Sequence, residues 1–229
     1  MIAQQIETNI ADNIQIRLIE LNDRDEVLNF LRKHFYPDEP FMIASAQKHP
    51  DPEDEEFNIS LIAHGTCLMA VQQETVNSIL KERIVGVVLS GPKCSDEAEH
   101  LFKEAARLGS TTWGKTIGIL AHAERDSNVY ERYNADRALH IYASAVDGRF
   151  RGRAISMRLK EKLKELARQL GYPLLTTDCT SFYSAKVSER MGMDCVNVIK
   201  YTDCLDDEGK VVFNPPLPHE YLKTYAMRL

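Results

Sequence analysis

The chain has no uninterrupted apolar run approaching the ~20 residues a membrane-spanning helix needs. Its first residues, MIAQQIETNIADN, lack the basic and apolar regions of a secretory signal. Both absences predict a cytoplasmic protein with no membrane partner. An excess of positive charge is missing too: 28 Lys and Arg stand against 34 Asp and Glu, a net charge of −6 at pH 7. That balance argues against a nucleic-acid partner. The five cysteines (Cys67, Cys94, Cys179, Cys195 and Cys204) are scattered and form no C-x-x-C, and the seven histidines include no H-E-x-x-H. Zinc-ribbon, thioredoxin and zincin chemistry are excluded, no metal is expected, and reduced structural thiols are the simpler reading. Neither G-x-x-x-x-G-K-[ST] nor G-x-G-x-x-G occurs, so no Walker loop or dinucleotide fingerprint is present.

What is present suits a globular protein. The 229 residues, 44% apolar and 27% charged, bury a core without help from disulfides or metal. Ile14 to Leu21 alternates like a strand. A helix bearing Val27, Leu28, Leu31 and Phe35 on one face follows, and must stop near Tyr36-Pro37 because proline disfavours helical geometry at the residue before it. The loop Pro37-Asp-Glu-Pro-Phe41 sets two carboxylates beside aromatic rings. The acidic stretch His49 to Glu56 reads as the entry to a second helix ending near Gly65. Further strands are expected at 67–72, 83–90, 138–146, 173–180 and 195–203, with helices at 95–108, 115–133, 155–170 and 181–191. Ile155, Leu159, Leu163, Leu166 and Leu170 mark one apolar helical face. No Pro/Gly/Ser-rich linker divides the chain, which predicts one mixed α/β domain over 1–229.

The sharpest chemical feature follows the strand 138–146. Arg149, Arg151 and Arg153 crowd the start of the next helix, where cations oppose the positive end of the helix dipole. An anionic ligand resolves that conflict, because unpaired N–H groups at a helix N-terminus bind phosphate. A solvated basic turn is the alternative.

Arg149-Phe-Arg-Gly152-Arg-Ala154 resembles the acyl-CoA pyrophosphate loop of the GCN5-related N-acetyltransferases: an Arg or Gln, two residues, Gly, one residue, then Gly or Ala. A second register starts at Arg151 and keeps Val146-Asp147, Phe150 and Ile155 in the family's wider context. It puts Ala154 where glycine is usual and Ser156 where the final Gly or Ala stands. The order of elements from Ile14 to Val198 follows the same family's plan. Asp38-Glu39-Pro40, the segment from Cys179 to Gly192 and the tail from Gly209 to His219 are similar to the insect arylalkylamine N-acetyltransferases. The resemblance implies an α/β (α+β) fold with a mixed, mostly antiparallel sheet of about seven strands. The sheet would splay at the acyl-CoA site, carry helices on both faces, and place the acyl-CoA-binding core at about 137–192.

The resemblance also implies roles. Ala145 and Val146 would pair with the pantetheine arm of acetyl-CoA, and Arg151, Gly152, Arg153, Ala154, Ile155 and Ser156 would hold its diphosphate. Glu39 matches the general base, needed because an amine arrives protonated; capping the next turn is its plain structural role. Thr180 and Ser184 match hydroxyls near the thioester sulfur and the amine. Tyr36, Phe41 and Tyr142 are expected in the amine pocket, with core packing as the alternative. His140 reads as a packed core residue, and Ser188 stands where many relatives carry a tyrosine general acid. The implied reaction is acetyl transfer from acetyl-CoA to the primary amine of an arylalkylamine, of the dopamine, tyramine, octopamine, serotonin and tryptamine class, by direct attack in a ternary complex. The alternatives are a non-aryl acceptor (polyamine, agmatine or hydrazine) and a non-catalytic acyl-CoA-binding module. A monomer or weak dimer is expected.

Overall fold

Alternating Ile14, Ile16 and Leu18 do build a strand, and it joins a sheet that runs through the whole molecule. The computed structural model describes residues 8–9, 13–45, 47–76 and 79–229; most of the leading segment read for a signal lies outside them. The sheet has eight strands in the order β1-β2-β3-β4-β5-β6-β8-β7. They are β1 (Thr8–Asn9), β2 (Ile14–Leu18), β3 (Leu68–Val76), β4 (Ile79–Cys94), β5 (Arg137–Val146), β6 (Leu174–Cys179), β7 (Asp194–Lys200) and β8 (Tyr221–Arg228). Only β5 and β6 pair in parallel; the other neighbours are antiparallel. The mixed, mostly antiparallel sheet is as expected, with the two-residue β1 added.

Two differences are topological. β3 and β4 run well beyond 67–72 and 83–90 and stay paired out to Val76 and Ile79, so a long ribbon replaces a loose connection. The last strand, β8, slots between β6 and β7. The helices are α1 (Arg24–His34), α2 (Pro40–Ala44), α3 (Pro52–Ser60), α4 (Glu97–Leu108), α5 (Thr112–Ser127), α6 (Val129–Tyr133), α7 (Ile155–Gln169) and α8 (Phe182–Arg190). The single helix expected over 115–133 is broken at Asn128, whose φ of 43° is one that asparagine tolerates better than most residues.

Apolar side chains cover both faces of the sheet. On one, Leu159, Leu163 and Ala167 of α7 pack with Ile14, Val85 and Leu139. On the other, Val27 and Leu31 of α1 pack with Val87 and Leu89. Gly86 on β4 lets α7 sit this close: a Cβ there would lie 2.9 Å from Ile155 Cγ2. Leu170, expected on the apolar face of α7, is instead 39% exposed, and Ala167 takes the core position.

The feature that makes a site is in β5. Its partners on β4 pass from Leu89↔Ala143 to Ser90↔Ile141, so Tyr142 is an extra residue, a β-bulge. A bulge bends the strand and turns its faces over. Accordingly Leu139 and Ile141 join the α7 side of the core, while Ala143 and Ala145 join the α1 side. Pairing with β6 ends at Ile141↔Thr177, although β5 continues to Val146 and β6 to Cys179. The two parallel strands therefore part beyond Ile141, as the splay expectation required.

Candidate active site

A cavity of about 970 Å³ opens at this parting. Its walls are β5 from His140 to Val146, the start of α7, the end of β6 with the start of α8, and Trp113, Thr116 and Ile117 of α5. Ala145, Val146, Arg151, Gly152, Ala154, Ile155 and Ser156 all lie on the wall. Beyond Ile141 the β6-facing edge of β5 meets no strand among the described residues, leaving backbone groups to be satisfied by something else.

The turn before α7 is held by Asp147. Its buried carboxylate accepts from the Arg149 backbone N–H at 3.0 Å, from Arg83 at 2.7 Å and from the Arg149 guanidinium at 2.8 Å. Arg149 is thus committed to the protein. Arg153 stacks on Phe150, 5.1 Å from the ring centre, and Arg151 pairs with Asp38 across the cavity mouth. Ala154, the N-cap of α7, has φ 56°, and no side chain caps the helix. Glycine adopts that left-handed backbone at no steric cost and alanine does not. This conformation suits the register that begins at Arg151, because it falls on the residue where that register expects glycine. The first N–H groups of α7 carry no side-chain partner, which suits an anion.

Glu39 caps α2, its Oε1 accepting the Phe41 N–H at 3.5 Å, and its Oε2 accepts the Thr180 hydroxyl at 3.1 Å. Capping and a place on the cavity wall are therefore one position. Burial pushes the Glu39 carboxyl up to about 7, against the two hydrogen bonds. The Tyr201 hydroxyl donates to the Thr180 carbonyl at 2.6 Å and fixes the end of β6. Ser181 caps α8, accepting the Ser184 N–H at 3.0 Å, while the Ser184 hydroxyl donates back to the Ser181 carbonyl at 2.9 Å. Glu39, Thr180 and Ser184, distant in sequence, meet on one cavity.

Of the three side chains expected around the amine, Phe41 and Tyr142 line the cavity. Tyr36 is a correction: it is 3% exposed, packs in the core, accepts from Asn58 Nδ2 at 3.2 Å, and is not among the residues lining the cavity. Its loop turns through a short 3-10 segment, Tyr36–Asp38, which points the ring into the core while Glu39 faces the cavity. His140 is buried, bonded through Nδ1 to Thr176 Oγ1 at 2.9 Å, and burial followed by Lys93 holds its pKa well below the usual histidine value.

Sequence reading missed several wall residues. Asp54, inside an acidic run that reads as a solvated helix entry, lines the cavity and accepts from Asn58 at 2.7 Å. Burial, then Glu39, Asp51 and Glu55, push it up to about 8. Phe57, Trp113 and Tyr142 form an aromatic wall, with Phe57 5.7 Å from Trp113 and 5.2 Å from Tyr142. His219 of the tail accepts the Phe182 N–H at 3.3 Å. At the deep end Lys93 pairs with Glu124 at 2.7 Å and lies 3.8 Å from Asp178. No spacing signalled these; the runs of alternating and acidic residues that contain them have ordinary structural readings. Among the described residues, no group of three or more His, Cys, Asp or Glu is arranged to hold a metal, and no helix is long and apolar enough to cross a membrane.

No family model matches the chain, but solved structures do. An agmatine N-acetyltransferase, determined as an apo serine-to-alanine variant, is 34% identical, with 95% of this chain and 100% of that one covered at a TM-score of 0.88. A Drosophila melanogaster polyamine N-acetyltransferase that forms N-acetylagmatine is 35% identical, covering 94% and 100% at 0.86. A mosquito arylalkylamine N-acetyltransferase-like protein is 29% identical, again covering 94% and 100% at 0.86.

Proposed function

The chain belongs to the GCN5-related N-acetyltransferase superfamily and is an acyltransferase, and on that premise we propose that it acetylates the primary amine of a substrate carrying a second, distal positive charge, as agmatine and polyamines do. The observation that carries this reading is Asp54. It is a cavity-wall carboxyl held up first by burial and then by the neighbouring Glu39, Asp51 and Glu55, so a cation placed among these acids offsets both the lost solvation and their mutual repulsion.

Acetyl-CoA enters along the parted edge of β5, its pantetheine arm on the backbone of Ala145 and Val146. The diphosphate rests on the N–H groups of α7 between Gly152 and Ser156, with Arg151 and Arg153 beside it. A backbone N–H in the parting holds the developing oxyanion. Glu39, near neutrality in its pKa, takes a proton from the ammonium group, directly or through water, and Thr180 orients it. The free amine then attacks the thioester carbonyl in a ternary complex, and Ser184 hydrogen-bonds the sulfur side. The chain works as a single domain, acting alone or as a weak dimer in the cytoplasm.

A second reading, an arylalkylamine acceptor such as dopamine or tryptamine, is favoured by the aromatic wall of Phe57, Trp113 and Tyr142. Thiol release from acetyl-CoA over a panel of agmatine, spermidine, tyramine, dopamine and tryptamine separates the two. Agmatine or spermidine is expected to lead in kcat/KM by tenfold or more. A lead by the aromatic amines transfers the conclusion to the second reading, and no turnover with any of them overturns both.

A further inference from the structure

Lys160 has no part in the mechanism above. It sits on the second turn of α7, is 1% exposed, and lines the same cavity. Among the described residues its ammonium group has neither a hydrogen bond nor an ion pair. A buried charge without a partner is costly, and folds keep such groups where a ligand completes them. Burial draws the Lys160 pKa down, and the only other group acting on it is the Cys179 thiol.

Cys179 locates the lysine. It ends β6, immediately before Thr180, and its side chain packs on the α7 side of the sheet. Burial holds its pKa up, opposed by Lys160 and then by the hydroxyls of Ser188 and Ser184. Ser188 Oγ is 3.4 Å from the sulfur. Lys160 and Ser184 both line the cavity and both act on Cys179 at the end of β6, while Thr180 turns towards Glu39. The cavity thus has a proton-accepting carboxylate at the end of β6 and, past the strand, an unpartnered ammonium group.

We propose that Lys160 is the acid that serves the departing sulfur of CoA. The assignment rests on the acetyl-CoA reading above. As the substrate nitrogen bonds to the carbonyl carbon, the C–S bond breaks and its electron pair passes to sulfur. The Lys160 ammonium group gives that sulfur a proton, leaving CoA thiol and a neutral amine. The nitrogen loses two protons: Glu39 passes the first, taken from the ammonium before attack, to water, and takes the second as the C–S bond breaks; after product release water carries that second proton from Glu39 to Lys160. A serine hydroxyl alone is a poor donor to a thiolate, whereas an ammonium group is a far stronger acid, and burial makes Lys160 stronger still.

The test binds CoA to the wild-type protein, to K160M and to K160R, and follows ionisation of the CoA thiol by thiolate absorbance. The acid constant of the bound thiol is expected to be at least tenfold larger on wild type than on K160M. K160R retains that shift but loses kcat at least tenfold, because a guanidinium keeps its proton. The kcat loss in K160M shrinks with acetyl donors whose leaving thiol is more acidic. Equal thiol ionisation on wild type and K160M overturns the proposal while leaving the acetyl-CoA reading intact. Failure of wild type to bind CoA overturns that reading itself.

Discussion

Lys93 and Lys160 are both sealed from bulk solvent, at 3% and 1% exposed, yet their surroundings are opposite. Burial works against the Lys93 charge, but Glu124 and Asp178 outweigh it and hold its pKa above the ordinary lysine value. Lys160 has no such acids among the described residues, and burial draws its pKa down. The carboxyls divide in the same way. Asp178 is raised by burial but offset by Lys93 and by the Thr224 hydroxyl at 2.6 Å. Among the described residues Glu39 and Asp54 have no cation opposite them, and burial pushes them up to about 7 and about 8. A charge answered inside the protein belongs to the fold. A charge left unanswered on a cavity wall is available to a ligand, and its pKa records the cost of waiting.

The contrast is broken most severely at the answered lysine. K93M strands Glu124 and Asp178 in the interior and is expected to cost about 3–5 kcal/mol in urea unfolding. A loss below about 1 kcal/mol would show that the pairing does not hold the fold. Next is E39Q, which removes the unanswered base: kcat/KM should fall about a hundredfold at neutral pH. In the wild type kcat/KM rises with pH through about 7, as Glu39 becomes able to accept a proton; E39Q lacks that limb, and a persisting limb removes Glu39 from the mechanism.

D54N has a smaller and more selective effect. Agmatine KM should rise about tenfold, with little change for tyramine. The wild-type agmatine KM falls as pH rises through about 8, because only the ionised carboxyl holds a cation; D54N loses this dependence. Both carboxyls also have folded pKa values above the ~4 of the unfolded chain. Their ionisation therefore costs stability, with none of that cost below about pH 4 and all of it above about pH 8. Thermal melts should show D54N gaining on wild type as pH rises across that range. The smallest effect on stability is expected for K160M, which replaces an unanswered cation by an apolar side chain of similar length. A gain of about 1 kcal/mol, or about 2–4 °C in Tm, is predicted; a loss would mean that Lys160 has a structural partner.

Much of this was legible in consecutive residues. The alternation of Ile14, Ile16 and Leu18, the apolar stripe of α7, Ser181 as a cap and the loop from Arg151 to Ser156 each depend on neighbours within a few positions. Glu39 was readable through the motif Asp38-Glu39-Pro40. Tyr36 misled because its ring, though close to Glu39 in sequence, packs into the core with Val27, Leu31 and Ile59. Leu170 misled because α7 ends at Gln169, where the stripe runs off the sheet. Lys160 reads as one more solvent-facing lysine in a helix rich in them, and only the packing of α7 against the end of β6 encloses it.

The sequence alone therefore settled the class of sheet and the helix carrying the basic loop, because each follows from local backbone preference and side-chain type. Tertiary structure decided which of those groups meet. Thr180 reaches Glu39 across 141 positions, Lys93 reaches Glu124 across 31, and β8 enters between β6 and β7. The bulge at Tyr142 decides where β5 leaves β6, and so where the cavity opens. These depend on register and packing between distant segments, whose energies are summed over the whole sheet and leave no mark in any short stretch of chain.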